Sequence, residues 1–157
     1  MIKNFLFWIA AFICLIFDRV SKHAVMQNLQ LYDSLPIWQG IFHITYITNP
    51  GSAFGFFKGD WLKWVSLIVS LGLIVLGCTN QKLDRWEKVG YGCILGGAIG
   101  NGIDRFASGE VTDFLSFKLI NFPIFNLADV SINVGLACLV IALFRSNANR
   151  NDRDSRS

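Results

Sequence analysis

Four long apolar stretches dominate the hydrophobic pattern of the chain. They cover residues 5–17, continuing at helical length to 25, then 61–78, 89–103 and 128–144. The second alone has the length of a membrane span by apolar residues; the others reach it by taking in polar residues at one end. The pattern predicts four transmembrane helices at about 5–25, 61–78, 89–103 and 128–144. A signal peptide is the alternative for the first, because Lys3 precedes an apolar run. No small-x-small cleavage site follows; Asp18-Arg-Val-Ser-Lys22 comes instead, so we read a retained helix. Between the first two stretches, residues 41–48 are β-branched and aromatic and alternate loosely, which predicts a strand. Asn49-Pro50-Gly51-Ser52 then reads as a turn. Together they define an outer β-region of about 36–58. Trp38, Phe54, Phe56, Phe57, Trp61 and Trp64 cluster around it, as amphipathic aromatics do at headgroup level.

Composition strengthens the membrane reading. Of 157 residues, 53% are hydrophobic and 16% charged, against roughly 25% charged in a soluble domain. Mean hydropathy is +0.45. The expected fold is an all-α membrane protein, a four-transmembrane-helix bundle with a small extracytoplasmic β-region. Residues 1–144 form one membrane-embedded domain. Residues 145–157, rich in Asn, Asp, Arg and Ser, are expected to be a disordered tail.

The net charge of +3 is small, and no nucleic-acid partner is expected. Its distribution matters more. Lys3 precedes the first span, Lys82, Arg85 and Lys88 link the second and third, and Arg145, Arg150, Arg153 and Arg156 follow the fourth. The positive-inside rule places all of these, and both termini, in the cytoplasm. Residues 23–60 and 104–127 then face the other side. Cys14, Cys78, Cys93 and Cys138 lie in apolar runs without C-x-x-C spacing, and read as packing residues rather than a disulfide framework or metal site. Gly92, Gly96 and Gly100 repeat every fourth residue and predict close helix packing.

Against this background the aspartates stand out. Asp113 and Asp129 lie at the edges of apolar stretches, where burying a carboxylate costs several kcal/mol unless it is paired, hydrogen-bonded or protonated. At about 1.5 Å per residue, Asp18 lies roughly 20 Å from residue 5, and Asp129 roughly 22 Å from residue 144. Asp104 and Asp113 follow the outer end of the third span, so the acids converge near the outer interface. Asp18 and Lys22, four residues apart, share a helix face and can pair. Asn126 or Asp129 can cap the fourth helix, and capping is the bland alternative to a site. Asn133, one turn on, is expected to face the same cavity. Asn49, Gly51, Asn101 and Arg105 complete the polar positions.

Elimination narrows the chemistry. His23 and His43 lie in outer segments without a suggestive serine. No H-E-x-x-H, Cys/His cluster or phosphate loop exists, so no metal or cofactor is expected. Two carboxylates in a low-dielectric site share one proton, and such a pair can hydrolyse a peptide bond. Asp104 can stand in for Asp113 in that pair; its neighbour Arg105 argues for an ion pair instead. A proton-coupled transporter is the rival reading, but it needs acids at the midplane rather than at one face. A non-catalytic assembly subunit leaves the acids unexplained.

Five blocks then carry a resemblance: Asp18-Arg-Val-Ser-Lys22, Asn49-Pro-Gly-Ser-Ala-Phe54, Gly96-Gly-Ala-Ile-Gly-Asn-Gly-Ile-Asp-Arg105, Val111-Thr-Asp-Phe114 and Phe125-Asn-Leu-Ala-Asp129. Across about residues 5–144 the chain resembles the lipoprotein signal peptidase (signal peptidase II) family. The resemblance implies an aspartyl endopeptidase of the bacterial cytoplasmic membrane. It would act as a monomer on diacylglyceryl-modified prolipoproteins, cutting before the lipidated cysteine. It implies Asp113 and Asp129 as the catalytic pair, supported by Asp18, Lys22, Asn49, Gly51, Asn101, Asp104, Arg105, Asn126 and Asn133. Gly102 departs from the pattern, a bulkier apolar residue being common there.

Overall fold

The glycine-bearing third stretch becomes the central post of the molecule. The computed structural model describes residues 4–51, 61–80, 82–120 and 122–154. Seven elements follow in order: α1 (Phe5–Asn28), β1 (Ser34–Trp38), β2 (Phe42–Asn49), α2 (Trp61–Thr79), α3 (Arg85–Ser108), β3 (Val111–Phe117) and α4 (Leu127–Asp154). A capping box starts α3: Asp84 accepts from the Glu87 N–H, and Glu87 accepts from the Asp84 N–H, both at 2.8 Å. Gly109 ends it with φ of 81°, a left-handed cap that a Cβ would strain.

Helix α3 touches α1 and α4 through its glycines. A Cβ on Gly96 would lie 2.5 Å from the Ala11 carbonyl oxygen, and one on Gly90 would lie 2.9 Å from the Gly135 carbonyl oxygen. Contacts to α1 climb in step, Gly92 with Phe7 and Gly100 with Asp18, so these helices run parallel. Contacts to α4 run in opposite order, Gly90 with Gly135 and Gly97 with Ala128, so that pair is antiparallel. Phe7, Ala11 and Leu95 form the buried core. At one end of the bundle, Asn4 donates to the carbonyls of Gly77 and Asn80 at 2.9 and 2.7 Å, satisfying orphan acceptors where α2 ends.

The surface is that of a membrane protein. Phe12, Phe17, Ile68, Leu143 and Phe144 are all more than half exposed, a hydrocarbon-facing rather than a water-facing surface. Helix α2 and the Leu127–Ser146 part of α4 are long and apolar enough to cross a membrane. Helix α1 carries Asp18, Arg19 and Lys22 in its second half, and α3 carries charges at both ends, Arg85, Glu87 and Lys88 at its start and Asp104 and Arg105 near its finish.

The expected strand at 41–48 is β2, displaced by one residue. It is the middle of an antiparallel sheet of order β1-β2-β3. The outer β-region begins earlier than expected, at Ser34, and recruits β3 from beyond α3; its residues 52–58 lie outside the described residues. Two further expectations are corrected. Helix α3 extends past both expected ends because its cap and its glycine stop set the limits. The tail from 145 is not disordered at its start: α4 continues to Asp154, its backbone hydrogen bonds carrying the helix on through the polar residues. Residues 155–157 lie outside the described residues.

Candidate active site

Two different elements deliver the principal aspartates, and Asn126 joins them. Strand β3 pairs Ile47 with Asp113 and Asn49 with Val111, which puts Asn49 diagonally across from Asp113 on one face. The Asn49 amide donates to Asp113 Oδ2 at 2.9 Å, while its own oxygen accepts the Gly51 N–H at 2.9 Å. Phe125 is pinned to β3: its carbonyl accepts the N–H groups of Phe114 and Leu115 at 3.0 and 2.8 Å. That anchor brings Asn126 beside Asp113, whose Oδ1 accepts its amide at 2.6 Å.

Asn126 also begins α4. Its Oδ1 accepts the Asp129 N–H at 3.0 Å, and Asp129 Oδ2 accepts the Asn126 N–H at 3.4 Å. The arrangement has the reciprocity of a capping box. Capping and site placement are therefore one arrangement here, not alternatives. The other oxygen of Asp129 accepts the Asn101 amide at 2.8 Å. Asp113 and Asn126 are buried, whereas Asp129 is half-buried and open on one side.

A second polar cluster backs the first. The Lys22 ammonium is fully buried and has three partners: Asp18 Oδ2 at 2.9 Å, Asp104 Oδ2 at 2.8 Å and Asn101 Oδ1 at 3.0 Å. These match its three hydrogens. Arg19 closes the cluster by pairing with Asp104 Oδ1. Two cations thus face two acids, and each acid also holds backbone: Asp18 accepts the Ala128 N–H at 3.0 Å, Asp104 the Thr112 N–H at 3.4 Å.

Most predicted positions converge here, with differences of detail. Asp104 pairs with Arg19 and Lys22, not with Arg105, because consecutive helical residues point in different directions. Arg105 instead donates to Ser66 Oγ at 3.1 Å, within electrostatic range of Asp129, Asp113 and Asp104. Asn133 is exposed and donates back to the Asp129 carbonyl at 3.0 Å. The sequence reading grouped Arg19 with Asp18 and Lys22 without assigning it to the site, and missed Ser66. Arg19 had a signal, lying between Asp18 and Lys22; Ser66, inside an apolar run, had none.

The chemistry follows from the difference in partners. Among the described residues Asp113 is hydrogen-bonded by neutral amides, those of Asn49 and Asn126, and burial pushes it from 3.8 up to about 6. The Asn49 amide opposes that shift, the Asp129 charge adds to it, and Asn126 and Lys22 oppose it. Such a carboxyl can hold a proton near neutral pH. Asp129 lies at the third position of α4, where the unpaired N–H groups favour negative charge.

The family model described as signal peptidase (SPase) II matches residues 10–145. A lipoprotein signal peptidase of Nostoc sp. is 57% identical over 142 residues, covering 89% of this chain and 90% of its own. That of Trichormus variabilis is 53% identical, covering 96% and 97%. A solved bacterial membrane enzyme, determined by the in meso method at 2.3 Å resolution, superposes with a TM-score of 0.81 at 30% identity. It covers 90% of this chain and 88% of its own. The chain belongs to the signal peptidase II family.

Proposed function

We propose that this chain is an aspartic endopeptidase that removes the signal peptide from diacylglyceryl-modified prolipoproteins, cleaving before the lipidated cysteine. Asp113 and Asp129 are its catalytic pair. The observation that carries the reading is the shared clamp: Asn126 binds Asp113 Oδ1 through its side chain at 2.6 Å and Asp129 Oδ2 through its main chain at 3.4 Å. One residue therefore holds both carboxylates in a common frame.

In this reading Asp113 holds the shared proton and Asp129 is ionised. Asp129 takes a proton from water as the water oxygen attacks the scissile carbonyl carbon. Asp113 gives its proton to the carbonyl oxygen. Collapse of the tetrahedral gem-diol breaks the C–N bond: the proton on Asp129 passes to the leaving amine, and one diol hydroxyl returns a proton to Asp113, which leaves the new carboxyl group and restores the pair. The two acids titrate as a unit. Asp18, Lys22, Asn49, Gly51, Asn101, Asp104, Arg105 and Asn126 support the pair; Asn133 steadies the first turn of α4.

The same proposal sets the site in the bacterial cytoplasmic membrane, with four spans, both termini inside and the acids near the outer face. Residues 1–144 act as one peptidase domain, and as a monomer. Two features support that topology. The parallel run of α1 and α3 fits an odd number of crossings between them. The Asn4 bonds join the start of α1 to the end of α2 at the end of the bundle where basic residues gather.

The test uses purified protein in detergent with a diacylglyceryl-modified prolipoprotein. The parent cleaves it, a chelator has no effect, and Asp113→Asn and Asp129→Asn each lose about 100-fold or more in rate. Robust cleavage by Asp113→Asn removes it from the pair, and equal cleavage of an unlipidated precursor overturns the substrate assignment.

A further inference from the structure

The Lys22 ammonium lies at a branch point with three arms: one ends on a proposed catalytic aspartate and two on the backbone N–H of the residue just before one. Through Asp18 it reaches the Ala128 N–H, one residue before Asp129. Through Asp104 it reaches the Thr112 N–H, one residue before Asp113. Through Asn101 it reaches Asp129 itself: Asn101 Oδ1 accepts from Lys22 at 3.0 Å, and its amide donates to Asp129 Oδ1 at 2.8 Å. The aspartates come from a strand and a helix that follow α3 in sequence, yet both are hung on one cation of α1.

We propose that Lys22 is a positioning residue that sets the spacing of the Asp113–Asp129 pair and tunes the pH at which the pair works. This rests on the reading of those two acids as catalytic. A buried cation with three satisfied hydrogens has little freedom to move, so Asp18, Asp104 and Asn101 are fixed around it. A misplacement of about 1 Å at such a site costs on the order of 100-fold in rate. The cation also acts by charge. The charged groups acting on Asp113 are Lys22 from α1, Asp129 from α4 and Arg105 from α3; Asp18 and Asp104 pair with Lys22, and Arg19 with Asp104. Lys22 favours the ionised form of Asp113; its removal makes Asp113 keep its proton to higher pH.

Two variants with opposite expected signs test this, each read by a kcat and KM profile from pH 5 to 9 on lipidated substrate. Lys22→Met lowers kcat about 100-fold with little change in KM, and moves the alkaline limb upward by on the order of one pH unit. Asp104→Asn removes a negative charge and leaves Lys22 in place, so its alkaline limb moves downward. A merely structural role moves neither limb, and kcat then follows the folded fraction; that result overturns the proposal. If Lys22→Met fails to fold, Asp104→Asn decides alone, and an unmoved limb overturns the proposal. Failure of the catalytic reading shows separately, as full activity of Asp113→Asn or Asp129→Asn.

Discussion

The two flanks of α3 are built on opposite rules. Toward α1 and α4 the helix is lined by glycines, and neighbouring backbone lies where side chains would be. Toward α2 it leaves a groove of about 540 Å³, bordered by Ser66, Leu67, Ser70, Ile99, Gly102 and Phe106. The close flank carries the site, since Gly100 packs on Asp18, Gly97 on Ala128, and Asn101 and Asp104 reach across it. The open flank meets the site through the Arg105–Ser66 hydrogen bond. The difference teaches where this molecule needs fixed distances. Buried ions and amides work only when held to a few tenths of an ångström, and backbone contact is the stiffest way to hold them.

The strongest way to break the comparison is Gly97→Ala. Its Cβ would run into the Ala128 carbonyl oxygen and lie 2.8 Å from Ile132 Cγ1. The first turn of α4, which carries Asp129, has to move. We expect overpacking to cost about 1–3 kcal/mol and the displacement to cost about 100-fold in cleavage. Thermal unfolding in detergent and a cleavage assay read the two effects separately. Parent-like rates would show that the close flank does not hold the site.

How much of this was legible depended on sequence distance. The glycines Gly92, Gly96 and Gly100 announced the close flank because a helix puts every fourth residue on one face. The Asp18–Lys22 pair was legible for the same reason, and is found at 2.9 Å. Strand β3 was not, although it carries Asp113. Its pairing with β2 joins residues more than 60 positions apart, such as Asn49 and Val111, and no local pattern records that. Asp104 was given the wrong partner because Arg105 is its neighbour in sequence but not in space. The groove left no trace either, since apolar residues read alike whether they pack against a helix or face an opening.

A smaller effect sharpens the comparison by measuring what the close packing costs. Asp113, held on β3 between Asn49 and Asn126 beside that close flank, is only 2% exposed. Its pKa rises from 3.8 to about 6, so the folded protein binds a proton that the unfolded chain releases between those values. Stability from this group is therefore highest at low pH and falls as pH rises from about 4 to 6, by on the order of 2–3 kcal/mol. Thermal unfolding of the parent against Asp113→Asn across that range isolates the slope. The parent should lose ground to the variant as pH rises, whatever the constant offset between them. Parallel curves would show that Asp113 is hydrated.

The smallest effect is expected on the open flank, from the same substitution made five residues along the same helix. A Cβ on Gly102 would meet only Ser66 Cβ, at 3.3 Å. That contact is tight but not a collision, and the groove gives the serine room to yield. Gly→Ala in a helix interior contributes up to about 1 kcal/mol through reduced backbone freedom. The contact offsets part of it, so Gly102→Ala should leave Tm unchanged or slightly raised. Its cleavage rate should stay within about threefold of the parent, because a surface-like change away from packed features rarely exceeds about 0.5 kcal/mol. Gly102 directly follows Asn101, whose amide holds Asp129, so proximity to the site predicts damage while the flank rule predicts tolerance. A large loss of activity in Gly102→Ala would show that distance from the aspartates, not the side of the helix, decides what α3 tolerates.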